Sequence, residues 1–141
     1  MSLSITRIQT PQAFDDFADS TLSAGDSPAD SAPSTLLFLV FFGSEVAETG
    51  ESWCPDCVMA DPVIRGTLAR ITARPVHLVE CPVGDRSAYK GQSAHPYRTD
   101  ARVRLVRIPT LIRFEGGREV GRLTEAECLD PDAILRLAAS G

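Results

Sequence analysis

Two neighbouring stretches decide how this chain folds: Leu36-Leu37-Phe38-Leu39-Val40-Phe41-Phe42-Gly43 and, after a polar interval, Ser52-Trp53-Cys54-Pro55-Asp56-Cys57. The first is a continuous apolar run closed by a glycine. Its length and its flanking glycine favour a central strand buried on both faces over a helix. The interval from Gly43 to Ser52 is polar and acidic, carrying Glu45, Glu48 and Glu51. It reads as an insertion before the next element. That element is a helix with Cys54 at its start, Pro55 at the first helical position, and an apolar face of Cys57, Met59, Val63, Ile64, Leu68 and Ile71. Pro62 interrupts this face, removes one ladder bond and predicts a kink.

Outward from this centre the signals remain local. Leu3 to Ile8 alternates apolar and polar as a half-buried strand does. Thr10-Pro11 supplies an N-cap followed by proline, and Phe14, Phe17, Ala18 and Leu22 fall at helical spacing, predicting a helix over 11–22. Residues 23–34 are rich in Ser, Ala, Asp, Gly and Pro without periodicity and read as a mobile loop. Val76 to Cys81 is the next strand. A long polar stretch follows from Pro82 to Asp100, with a short helix over 97–105. Thr110–Phe114 and Glu119–Leu123, joined through Gly116-Gly117, read as a β-hairpin. Asp130-Pro131 repeats the cap-plus-proline signal before a last helix carrying Ile134, Leu135 and Leu137. The order is βαβαβ, a short helix, a hairpin and a helix. Residues 1–141 read as one α/β domain with no internal repeat.

Composition excludes several classes. The chain has 141 residues, 43% hydrophobic and 23% charged, which is the profile of a globular domain with a self-sufficient core. A formal net charge of -5 argues against nucleic acid as a partner. No apolar run approaches the roughly 18 residues a membrane span needs. The N-terminus lacks a cationic start followed by an apolar block, so no secretory signal is expected and the cytoplasm is the expected compartment. There, a Cys-x-x-Cys pair is redox-active or metal-binding rather than a structural staple.

A dithiol that cycles with a disulfide needs two sulfurs that can meet without unfolding the chain. Disulfide geometry wants Cα atoms about 4.4–6.8 Å apart, and positions i and i+3 of a first helical turn provide that. The attacking sulfur must also be a thiolate at working pH, which the unpaired N–H groups and positive dipole end of a helix start favour. Cys54 and Cys57 meet both demands. Cys54, nearest the preceding loop, is expected to be exposed and to attack; Cys57, one turn in, is expected to be buried and to resolve the mixed disulfide. Asp56 opposes the dipole, because a carboxylate beside a thiolate raises the thiol's pKa. Trp53 is read as shielding the thiol from water.

A zinc ribbon would need a second closely spaced pair. Cys81 and Cys128 lie far apart, and His77 and His95 form no finger-type pair, so no metal site is expected. Cys81 and Cys128 read as small buried hydrophobes. Ile108-Pro109-Thr110 opens a strand as an extended X-Pro step.

Taken together, these features resemble the thioredoxin fold, an α/β architecture with a central mixed β-sheet flanked by helices on both faces. More narrowly, the chain resembles the thioredoxin domain-containing protein 17 family. The resemblance rests on Phe42-Gly43-Ser44, the insertion, Ser52-Trp53-Cys54-Pro55-Asp56-Cys57, Asp61-Pro62-Val63, Cys81-x-Val83-Gly84, Pro109-Thr110-Leu111 and Glu127-Cys128-Leu129. It implies a cis Pro109 lying against the active-site disulfide. It implies reduction of small disulfides such as cystine and short peptides, with thioredoxin reductase and NADPH as electron source and poor activity on large protein substrates. No bound cofactor is implied; the reversible Cys54–Cys57 disulfide carries the electrons. Pro55 and Asp56 are the redox-tuning positions, and Trp53, Ile108, Pro109 and Thr110 border the substrate.

Besides the loop over 23–34, which is longer than the family usually shows, two features depart from the pattern. The buried acid that thioredoxins carry in the central strand falls at about Phe41, so another group or water must move the Cys57 proton, with Asp56 the nearest candidate. The second is Arg107, which occupies a position that is small in the family. It either reaches the groove and attracts anionic disulfides, or joins Arg102 and Arg104 on a solvated face. A glutathione-dependent enzyme and a redox-regulated binding module without turnover remain the alternative functions.

Overall fold

The computed structural model describes residues 3–22 and 35–140. Strands β1 (Leu3–Arg7), β2 (Leu36–Phe42), β3 (Val76–Pro82), β4 (Thr110–Glu115) and β5 (Arg118–Thr124) form one sheet in the order β1-β3-β2-β4-β5. β1, β3 and β2 are mutually parallel; β4 runs antiparallel to β2, and β5 antiparallel to β4. The helices are α1 (Pro11–Phe17), α2 (Pro55–Ala69), α3 (Arg86–Tyr89), α4 (Pro96–Thr99) and α5 (Pro131–Ala139).

The apolar run of β2 takes the middle of the sheet because both of its faces can be covered there. Leu36, Phe38 and Val40 enter one core with Ala60, Ile64 and Leu68 of α2 and Ile134 and Leu137 of α5. Leu39 and Phe41 enter a second core with Phe14 of α1, Tyr89 of α3 and Tyr97 of α4. Helices therefore flank both faces of a mixed sheet, the thioredoxin arrangement. Phe38, Leu39 and Phe41 are fully buried, and each such side chain contributes about 1.5–3 kcal/mol of transfer free energy. The second core is finished by edge-on rings, with Tyr97 at 5.0 Å from Phe41 and 5.2 Å from Phe14 between centroids.

The structure differs from the expected elements in three places. The first helix does not run evenly over 11–22: α1 ends at Phe17, and Ala18–Leu22 widens into a π turn. There the Ser20 hydroxyl donates to the carbonyls of Asp16 and Phe17, competing with the regular ladder. The polar stretch after β3 holds two short helices rather than one over 97–105. Asp85 caps α3 by accepting the Ala88 N–H at 2.9 Å, and His95 Nδ1 caps α4 by accepting the Tyr97 N–H at 3.0 Å. Asp100 then ends the second helix by accepting the Arg102 N–H. In α2, Met59 is exposed and Ile71 lies beyond the helix; the buried face is Cys57, Ala60, Ile64, Thr67 and Leu68. The hairpin is as expected: Gly116 and Gly117 turn between β4 and β5 with positive φ at both positions, the requirement of a tight hairpin turn. The loop expected over 23–34 lies outside the described residues.

The insertion before α2 is an ordered flap. Glu45 and Ser52 pair in an antiparallel bridge, and Val46 N–H donates to the Glu51 carbonyl at 2.8 Å. Its base is tied to the end of β3, where Ser44 N–H and Trp53 Nε1–H both donate to the Gly84 carbonyl. Its outer strand is tied to β1, where the Arg7 guanidinium donates to both Glu45 oxygens at 3.0 and 2.8 Å.

Candidate functional site

Cys54 is the N-cap of α2, with extended backbone, Pro55 in the first helical position and Asp56 in the first turn. Its sulfur accepts the Cys57 N–H at 3.3 Å, the role usually filled by a serine or aspartate oxygen. Capping turns the sulfur back over the helix, and this corrects the expectation of an exposed attacking thiol: Cys54 is 7% exposed and Cys57 4%. Exposure therefore does not separate the two thiols; their electrostatics do. Hydrogen bonding from Cys57 pulls the Cys54 thiol down to about 7, against burial and the Asp56 charge, which both raise it. Cys57 moves the opposite way, pushed far up by its hydrogen bond to Cys54 and by burial. Both cysteines are free thiols.

Cys81 and Cys128 have no exposed surface. Burial raises the Cys81 thiol far above the neutral range and pushes Cys128 up to about 12, so neither is a nucleophile at neutral pH. Among the described residues, no group of three His, Cys, Asp or Glu side chains could hold a metal ion, and no helix is long and apolar enough to cross a membrane.

The surroundings of the dithiol come from three segments. Trp53 packs against the core that holds both sulfurs, with its ring 6.4 Å from that of Tyr89 and its Nε1–H held by the Gly84 carbonyl at 2.8 Å. This seat requires glycine at 43, where a Cβ would stand 2.7 Å from Trp53 Cε2. The Ile108–Pro109 bond is cis, and Pro109 lines a cavity of about 240 Å³ beside Cys57. Arg7, Glu45, Ser52, Asp61 and Arg65 line the same cavity.

Several expected roles are corrected. Thr110 is fully buried and its hydroxyl donates to the Arg107 carbonyl at 2.6 Å, so it fixes the turn before β4 and presents no surface to a substrate. Of the two readings of Arg107, its surface placement fits the solvated face: the guanidinium pairs with Glu125 at 3.1 Å, and the largest influence lowering the Cys54 thiol is the Cys57 hydrogen bond. Asp56 acts on Cys54 through its charge; the groups that favour the Cys57 anion are the Gly43 backbone and the Ser52 hydroxyl. Phe41, on β2, is fully buried.

The sequence reading missed Glu80. It is 6% exposed on β3, in register with Val40 of β2. Arg7 Nε donates to one of its oxygens at 3.0 Å and Arg65 holds the other, while Arg65 also meets Asp61 at 2.8 Å. A lone glutamate in an apolar strand is the available signal, because burying a carboxylate demands cationic partners.

A Cys-x-x-Cys dithiol capping a helix on a mixed sheet, beside a cis proline, defines a thioredoxin-fold dithiol protein. The fold matches the crystal structure of Schistosoma mansoni thioredoxin with a TM-score of 0.53 at 14% identity, over 98% of this chain and 94% of that one. Thioredoxin NaTrxh from Nicotiana alata gives 0.54 at 15% identity, over 96% and 90%. The family model described as thioredoxin domain-containing protein 17-like, thioredoxin domain, matches residues 10–140, and the chain belongs to this family. It is 41% identical over 106 residues to the thioredoxin-like protein Clot of Arabidopsis thaliana, covering 75% of this chain and 78% of that protein. It is 36% identical over 101 residues to thioredoxin domain-containing protein 17 of Homo sapiens, covering 72% and 76%. Membership supports a thiol–disulfide oxidoreductase in general.

Proposed function

We propose that this chain is a dithiol reductase of small-molecule and peptide disulfides, with Cys54 attacking and Cys57 resolving. One observation carries the assignment: the Cys54 sulfur is the cap of α2, accepting the Cys57 N–H, so its anion is favoured while that of Cys57 is not. The Cys54 thiolate attacks the substrate disulfide, expelling one thiolate and forming a mixed disulfide. The Cys57 sulfur then attacks Cys54 Sγ, releasing the second substrate thiol and leaving a Cys54–Cys57 disulfide. That reversible disulfide is the redox carrier, and no bound cofactor is needed. Thioredoxin reductase with NADPH returns it to the dithiol. Pro55 and Asp56 tune the pair, while Trp53, Ile108 and Pro109 form the walls against which substrate lies. The expected working compartment is the cytoplasm.

An NADPH-coupled assay with thioredoxin reductase, run side by side on cystine, insulin and oxidised glutathione, tests this reading. Turnover of cystine well above that of insulin is expected. Turnover sustained by glutathione and not by thioredoxin reductase would identify a glutaredoxin-like enzyme, and binding without turnover a redox-regulated module. In intact-mass spectrometry, Cys57→Ser should accumulate a mixed disulfide with substrate and Cys54→Ser none. Covalent capture by Cys54→Ser would overturn the roles.

A further inference from the structure

The resolving step needs a path for a proton. Cys57 begins the step as a thiol, its anion disfavoured by burial, and it must lose its proton for its sulfur to attack. The carboxylates nearest the site are engaged elsewhere: Glu45 is paired with Arg7 and Asp61 with Arg65. The central strand β2 carries no acid, and Phe41 there is fully buried. Both Glu80 oxygens are held by the guanidinium groups of Arg7 and Arg65. Asp56 bears on Cys54 instead.

Ser52 is placed for it. Its oxygen accepts the Cys54 N–H at 3.1 Å, so the side chain is pinned at the mouth of the helix. A hydroxyl that accepts one bond keeps its own hydrogen for a second partner and rotates to reach it. Gly43 lies close as well: a Cβ there would stand 3.0 Å from Ser52 Oγ. Ser52 and Cys57 line the same cavity of about 240 Å³, which is roomy enough for solvent and is bordered by the Glu45 and Asp61 carboxylates.

Resting on the dithiol reading above, we propose that Ser52 is a catalytic residue of the resolving step. Its hydroxyl donates to the Cys57 sulfur as that sulfur becomes the attacking anion, and the displaced proton leaves through the cavity both residues line. The proton passes from Cys57 Sγ to solvent, the Cys57 sulfur forms its bond to Cys54 Sγ, the bond from Cys54 to the substrate sulfur breaks, and the departing thiolate takes a proton from solvent. The direction of the influence agrees with the hydrogen bond from Ser52 favouring the Cys57 anion.

The test uses stopped-flow reaction of the reduced protein with a nitro-aromatic disulfide that releases one coloured thiolate per step, the first on Cys54 attack and the second on resolution. In Ser52→Ala the second phase should slow about tenfold relative to the first, the effect of losing one hydrogen bond to a charged group. In a Cys54→Ser background, adding Ser52→Ala should lower the rate of Cys57 alkylation by iodoacetamide about tenfold at fixed pH. Ser52→Thr, which keeps a hydroxyl, should recover most of the second phase. Equal slowing of both phases would make Ser52 a shaping residue of the turn and overturn the proposal, as would an unchanged second phase or an unchanged Cys57 alkylation rate. Absence of any second phase in the unaltered protein would remove the dithiol reading itself.

Discussion

Replacing Glu80 by glutamine takes one charge from the middle of a row that runs Glu45, Arg7, Glu80, Arg65, Asp61 and joins the insertion, β1, β3 and α2. Removing one partner of a fully buried ion pair costs about 3–5 kcal/mol, because the remaining charge is left uncompensated. Here the discount is substantial. The Arg7 and Arg65 side chains are 32% and 36% exposed, and each keeps a second carboxylate, Glu45 or Asp61. The new amide still accepts from one guanidinium through its carbonyl oxygen, but it turns an N–H donor toward the other, where donor meets donor. The expected loss is about 2 kcal/mol, intermediate between a buried pair and an exposed one. For a domain of this size that corresponds to a Tm lower by about 6–8 °C. Urea unfolding followed by far-UV circular dichroism measures the loss as a shift in midpoint at constant slope. Salt provides the internal control. The exposed Arg7–Glu45 and Arg65–Asp61 contacts weaken in high salt, and the buried contacts to Glu80 are screened less, so most of the difference should survive. A loss below about 0.5 kcal/mol would place Glu80 among ordinary surface ion pairs and refute the reasoning.

Other outcomes follow from the site. Asp56→Asn removes the charge that raises Cys54, so the midpoint of its iodoacetamide alkylation should move below about 7; an unmoved midpoint would remove Asp56 from the tuning of the pair. The folded Cys54 pKa is depressed relative to the unfolded chain, so the dithiol form should gain stability as pH rises from about 7 toward the ordinary thiol range, and lose that gain as pH falls through about 7. Equilibrium unfolding of Cys54→Ser across the same range should lack this slope. Brief alkylation of the native protein near neutral pH should add one label, on Cys54, with Cys81 and Cys128 reacting only after denaturation; peptide mapping decides it. Gly43→Ala should cost about 1–3 kcal/mol by driving a methyl into Trp53, and the emission of this single tryptophan should shift; an unchanged spectrum and midpoint would show that the ring has another seat.

Much of this architecture is legible in the sequence because its signals are local. The uninterrupted run of β2, proline after the caps of α1, α2 and α5, and paired glycines in the hairpin each specify backbone through their own chemistry. The dithiol is legible for the same reason, since cap, proline and spacing lie within one helical turn. What stays hidden depends on contacts between distant segments. Glu80 is buried because Arg7, 73 residues earlier, and Arg65 from α2 both reach it. Ser52 looks like any serine in a polar stretch until the bridge to Glu45 brings the flap against the cavity. Arg107 looks available for the groove because its partner Glu125 enters from beyond the hairpin. Thr110 looks like a substrate contact until its hydroxyl is found tied to the carbonyl three residues before it.

The sulfur that caps α2 also sets the direction in which the pair prefers to exchange electrons. A cap accepts hydrogen bonds best as an anion, and forming the disulfide removes that anion, so part of the helix-start stabilisation belongs to the reduced state alone. Whatever strengthens the cap therefore raises the reduction potential and makes the oxidised form hungrier for electrons, the route by which strongly oxidising dithiols are built. Asp56 works against this. By disfavouring the Cys54 anion it takes back some of that preference, so the residue between the two cysteines tilts the protein toward giving electrons to a substrate rather than withdrawing them.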